Sequence, residues 1–248
     1  MKDRDYYKYL RFKRQSDYRE SNAPITTNIF TNAHTSILLA FILFFTYLIQ
    51  IFIIPPQILD LLITHPSHLF SLNFFSVFTA VFLHGDLIHL LSNIIALIIF
   101  GKYVEQEFQK KTILIFIASG VIANLISHII SLATGDIFPS LGASGGVAGL
   151  IIFATLMNPL SFIRIFVIPI PVFALGWFLI SLDIIGLTNP SNINHYAHIG
   201  GYLALLIMFF FLEIRHKSKI ITGFIINLVL LSLLFLAYQF LNLKELLI

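Results

Sequence analysis

No cysteine occurs in the 248 residues, so disulfides and thiolate-ligated metal sites are excluded. Charge is almost as scarce: Asp, Glu, Lys and Arg make up 11% of the chain, where a soluble domain carries about 25%. That shortfall cannot furnish a surface that faces water on all sides. With 58% hydrophobic residues and a mean hydropathy of +0.91, the chain belongs in a bilayer. No HExxH occurs, so the helix-borne zinc pair of a membrane metalloprotease is missing. No secretory signal peptide is evident, because the first apolar run is about twenty residues long and no small-residue cleavage site follows it.

What charge there is clusters. The first twenty residues, MKDRDYYKYLRFKRQSDYRE, are polar and mixed in sign, and read as a solvated tail. A bilayer core of about 30 Å needs about 20 apolar helical residues to cross it. Seven runs approach that length, near Thr35–Ile54, Leu87–Val104, Thr112–Ala133, Ser144–Met157, Ile165–Gly186, His195–Leu212 and Ile220–Leu241. Placing the N-terminus in the cytoplasm puts every Lys and Arg inside except Lys244, the asymmetry expected of cytoplasmic loops. The expected topology is therefore N-terminus in, C-terminus out. The expected fold is all-α, a polytopic helical bundle. The outer loop from Pro55 to Asp86 is long, apolar and aromatic, which predicts that it is buried in protein or in the membrane face.

Polar residues inside spans are costly and mark function by default. Three clusters stand out, and the topology brings all three to the outer face. Gly142-Ala143-Ser144-Gly145-Gly146 opens the fourth span. Alone it reads as a small-residue packing face. However, Ser144 to Asn158 is only about 21 Å of helix, which predicts a helix start, and a serine, recessed in the bilayer. His195-Tyr-Ala-His198-Ile-Gly-Gly201 opens the sixth span. A lone histidine there is most often a hydrogen-bonded core residue. Beside Ser144, a neutral imidazole is a suitable base for the hydroxyl proton. His195, one turn earlier, reads as structural. His84-Gly-Asp86-Leu-Ile-His89-Leu-Leu-Ser-Asn93 leads into the second span. His89 and Asn93 share a helical face, and Asp86 reads as the N-cap. Both can donate to a developing oxyanion, as can the Ser144 amide; the plainer reading is an interhelical polar contact.

HxxxN on the second helix, GASG opening the fourth and AHxxG on the sixth, in that order, resemble the rhomboid intramembrane serine proteases. Gly101-Lys-Tyr-Val-Glu105 resembles the GxxxE of that family. The resemblance covers about residues 71–212. It implies a six-helix rhomboid-like core over residues 35–212, after a polar N-terminal tail at 1–34. A loop and one extra C-terminal span follow at 213–248. It implies a Ser144–His198 dyad, an oxyanion hole that includes Asn93 and His89, and structural glycines at Gly142, Gly145, Gly201 and Gly101, with Glu105. It implies hydrolysis of peptide bonds in or near the transmembrane segments of other membrane proteins, near the outer face. Neither metal nor cofactor is implied. The expected partners are membrane-protein substrates and lipid, with no nucleic acid.

Two features depart from the family pattern. Many members carry Trp-Arg in the first outer loop, whereas the single tryptophan here is Trp177. Many carry an aromatic one turn after the serine, where this chain has Ala148. Asp183 reads as an interfacial carboxylate at a helix end, with a role as third catalytic member the lesser alternative. The competing readings are a transporter or channel, a metal cluster of His84, His89, His195 and His198, and an inactive rhomboid-like binder. The absence of a transit peptide and the extra span predict a prokaryotic plasma membrane.

Overall fold

The computed structural model describes residues 33–135, 139–165, 168–188, 193–211 and 214–245. The expected N-terminal tail, up to residue 32, and Leu212, the end of the sixth expected span, lie outside the described residues. Among the described residues seven principal helices carry the fold: α1 His34–Phe52, α2 Leu87–Phe108, α3 Thr112–Thr134, α4 Ser144–Met157, α5 Val172–Gly186, α6 His195–Met208 and α7 Ile214–Glu245. Their positions follow the apolar runs closely, and α4 starts and stops at the expected residues.

Local chemistry sets the ends. Asp86 caps α2 by accepting the His89 amide at 2.7 Å. Gly135, in the left-handed conformation (φ 81°), ends α3. Asn194 caps α6 by accepting the Ala197 amide at 3.0 Å, and its side chain also bonds Ser127 of α3.

α4 is the centre of the bundle. Nearly every residue from Gly145 to Met157 is buried. α2, α3, α5, α6 and α7 all pack on it. A helix that is apolar all round belongs in such a core. The outer helices instead present large apolar side chains outward, such as Phe41, Phe45, Phe178 and Phe235, each more than half exposed. A contiguous apolar rim of this kind suits lipid rather than water. Among the described residues three stretches are long and apolar enough to cross a bilayer by themselves: His34–Phe52, Leu87–Thr134, which holds α2 and α3, and Lys217–Phe240.

The run expected to be a helix from Ile165 to Gly186 is shorter. Its first part forms an antiparallel hairpin, β1 Phe162–Ile165 with β2 Ile168–Pro171. The reason is local. Pro159, Pro169 and Pro171 cannot donate to a helix ladder, while the intervening isoleucines favour extended backbone. α5 therefore begins at Val172, with 15 residues.

Two buried anchors tie the frame together. Glu105 accepts the Thr35 amide at 2.7 Å and the Ser36 amide and hydroxyl at 3.0 Å each, where a negative charge complements the N-terminus of α1. Beside it α1 and α2 touch at Gly101, where a Cβ would fall 2.5 Å from Ser36 Oγ. On α7, Asn227 accepts from Trp177 Nε1 of α5 at 2.8 Å and donates to the Thr155 carbonyl of α4 at 3.0 Å. That carbonyl lies in the last turn of α4, and its next helical partner would be Pro159, which has no N–H.

Candidate active site

The loop from Pro55 to Asp86 is only partly buried, with Phe70 and Leu72 exposed, and hydrogen bonds that the apolar sequence conceals tie its buried residues to the helices. Gln50 of α1 donates to the His84 carbonyl at 2.7 Å and accepts the His84 amide at 3.0 Å. Asn124 of α3 donates to the Val77 carbonyl at 2.9 Å and accepts the Ser140 hydroxyl at 2.8 Å. His128 of α3 pairs with Thr64 at 2.9 Å. Thr64 and Ser140 exchange backbone bonds in an isolated bridge. These contacts hold the loop without the Trp-Arg pair.

The same loop supports the turn that presents Ser144. The Gly142 amide donates to the Ala80 carbonyl at 2.8 Å, and the Ala143 amide reaches His84 Nε2 at 3.4 Å. His84 is fully buried. Burial, then the neighbouring His89, pushes its pKa down to about 4, so it stays neutral and its Nε2 can accept. Gly142 has φ 127°, which side-chain-bearing residues rarely adopt. A Cβ there would also sit 2.7 Å from the His89 ring and 3.7 Å from Ser144 Oγ. His89 and Ser144 thus flank one point. Asn93 is buried on the same face of α2 as His89, and its amide donates to the His89 carbonyl at 2.9 Å.

α4 meets α6 at this level through glycine. A Cβ on Gly201 would run into the Gly145 carbonyl, and one on Gly145 would lie 3.6 Å from the Ala197 carbonyl. The first turns of the two helices, with Ser144 and His198, are therefore in backbone contact. Among the described residues no hydrogen bond joins Ser144 Oγ to the His198 ring. Such bonds often tighten only when substrate binds.

His198 is held from its other side. Its Nδ1 lies 2.7 Å from Asp183 Oδ1 of α5, and His195 Nδ1 lies 2.9 Å from the same oxygen. Tyr202 donates to Asp183 Oδ2 at 2.6 Å. Asp183 is 8% exposed, so the plainer expectation of an interfacial carboxylate does not describe it. Fifteen residues and a loop separate Asp183 from His198, so spacing gave no hint. A carboxylate inside an apolar helix was the available signal. The ligand atoms of Asp183, His195 and His198 lie within 4.8 Å of one another, which makes them the set among the described residues able to approach one metal ion. The hydrogen bonds already account for that closeness. His84 and His89 meet edge to face with ring centroids 5.2 Å apart and are not part of that set.

The Rhomboid domain profile matches residues 71–214. The chain belongs to the rhomboid family. Among its relatives, the mitochondrial RHOMBOID-like protein 12 of Arabidopsis thaliana is 32% identical over 51% of this chain and 43% of its own length. The mitochondrial presenilin-associated rhomboid-like protein A of Danio rerio is 31% identical over 49% of this chain and 33% of its own length. The human presenilin-associated rhomboid-like protein, also mitochondrial, is 30% identical over 50% and 34% respectively. The chain thus spans less than half the length of these relatives. The bundle is an all-helical membrane protein of rhomboid fold.

These relatives overturn the expected prokaryotic plasma membrane, because they are eukaryotic proteins named as mitochondrial. The expectation had a weak physical basis. It rested on the absence of a transit peptide and on the extra span, and an added span reports only a hydrocarbon core whose thickness differs by a few Å between membranes.

Proposed function

We propose that this rhomboid is a serine endopeptidase that cleaves other membrane proteins within or beside their transmembrane segments. The observation that carries the reading is the glycine-lined contact between α4 and α6, the two helices whose first turns carry Ser144 and His198. In this reading residues 35–212 are the catalytic core and the segment 213–248 is an addition to it. The names of the relatives support a mitochondrial membrane as the host bilayer.

Ser144 Oγ attacks the substrate carbonyl while His198 Nε2 takes its proton. The oxyanion that forms is stabilised by donors at the place where charge develops: the Ser144 amide, His89 and the second N–H of Asn93. The first Asn93 N–H is engaged with the His89 carbonyl, which fixes the amide plane. His198 then protonates the leaving amine, and water attacks the acyl-enzyme with His198 again as base. Gly142, Gly145 and Gly201 permit this geometry, whereas Gly101 and Glu105 brace α1 against α2 at a distance from it.

The test is proteolysis in reconstituted liposomes. Wild type should release a fragment from a single-pass reporter with a small residue at the cleavage site. Ser144→Ala and His198→Ala should each lower the rate by at least about 10³-fold. Equal cleavage by wild type and Ser144→Ala would remove the reading.

A further inference from the structure

We propose that Asp183 is a positioning residue that fixes the tautomer and orientation of His198. The argument begins with what α4 offers the histidine ring. Gly145, Ala148 and Gly149 form the face of α4 toward α6, and none can hydrogen-bond a ring nitrogen through its side chain or stack on it. Orientation must come from elsewhere, and α5 supplies it.

Asp183 is a buried carboxylate encircled by donors: His198 Nδ1 at 2.7 Å, His195 Nδ1 at 2.9 Å and the Tyr202 hydroxyl at 2.6 Å. An ionised carboxylate only accepts hydrogen bonds. Each of its partners must therefore present a proton, which places the His198 proton on Nδ1. Nε2 is then left with a lone pair. That is the tautomer a base needs in order to accept a proton from a hydroxyl, and a free imidazole would divide itself between the two forms. The partners are themselves fixed. Tyr202 stands one turn after His198 on α6 and donates to the second carboxylate oxygen. The His195 ring is seated against Gly186, where a Cβ would overlap it. Asn194 caps α6 and bonds Ser127, which sets where the helix starts. Asp183 thereby couples α5 to the working end of α6.

The consequence for reactivity rests on the Ser144–His198 reading; the tautomer does not. The experiment is ¹⁵N NMR of histidine-labelled full-length protein in micelles, with the His198 ring signals assigned by His198→Gln. Wild type should show a protonated Nδ1 and an unprotonated Nε2. Asp183→Asn and Asp183→Ala should show mixed tautomers, and Tyr202→Phe should retain the wild-type form. In parallel, fluorophosphonate labelling of Ser144 should slow by about 10²-fold or more in Asp183→Asn, the corresponding change costing about 10⁴-fold in a serine-protease triad. A wild-type tautomer in Asp183→Asn, or an unchanged labelling rate beside a reactive wild type, overturns the proposal. A wild-type spectrum that changes on adding a chelator overturns it too, because a metal on Asp183, His195 and His198 would then hold the ring. If wild type does not label at all, the dyad reading fails while the tautomer still decides the role of Asp183.

Discussion

Glu105 offers the sharpest test of how the bundle is held. Its carboxylate accepts three hydrogen bonds from the first turn of α1, at 2.7, 3.0 and 3.0 Å, and is 8% exposed. The Thr35 and Ser36 amides have no partner within their own helix. A hydrogen bond to a charged group contributes about 1.5–3 kcal/mol. The three share one carboxylate, and water can reach a helix end once the side chain is removed, so they do not add. Glu105→Ala should therefore cost about 3 kcal/mol, and Ser36→Ala, which deletes one hydroxyl donor, about 1 kcal/mol. Glu105→Gln should recover little, because its amide nitrogen would confront a donor. The assay is reversible unfolding in mixed micelles, followed by the fluorescence of Trp177, the one tryptophan. A double-mutant cycle of Glu105→Ala with Ser36→Ala should show coupling of about 1 kcal/mol. If Glu105→Gln is as stable as wild type, the carboxylate is not the anchor described.

Three further outcomes are expected. Gly201→Val should push α6 off α4, costing about 1–3 kcal/mol and abolishing reactivity at Ser144 in folded protein; retained reactivity would mean that the glycine contact does not set the site. Asn227→Ala should strand the Thr155 carbonyl and the Trp177 indole N–H, costing about 1–3 kcal/mol and shifting the Trp177 emission; an unchanged emission would deny the α5–α7 bond. The pKa of His84 is depressed to about 4, whereas an unfolded histidine titrates near pH 6.5. The unfolded state takes up the proton first, so the contribution of His84 to stability is intact above pH 6.5 and declines from there toward about 4. Unfolding measured against pH should lose that slope in His84→Gln; an equal slope would assign the effect to other groups.

Much of this was legible in the residues. Hydropathy marked where each helix lies because a bilayer demands long apolar runs, and the short length from Ser144 to Asn158 foretold a helix too short to cross alone, though not its central position. The motif clusters led to the α4–α6 contact and to the flank of His89. The β-hairpin was missed because apolar content alone does not separate helix from strand; the prolines at 159, 169 and 171 did. Gln50, Asn124, His128 and Asn227 were passed over because none sits in a recognisable motif, and Asp183 entered only as the lesser alternative of a third catalytic member. Each is a buried polar group within a helix, and the rule that intramembrane polar residues are expensive applied to them as much as to Ser144. Their partners on other helices and loops lie 12 to 72 residues away in sequence, as with Asp183–His195 and Asn227–Thr155, and only the folded chain brings them together.

The central claim is that Ser144 is a nucleophile activated by His198. The direct measurement is reaction of the full chain in micelles with a fluorophosphonate, with the labelled peptide identified by mass spectrometry. Covalent label on Ser144 in wild type, lost in His198→Ala and in Ser144→Ala, is the predicted result. A folded wild type that stays unlabelled, or label that persists in Ser144→Ala, would contradict it.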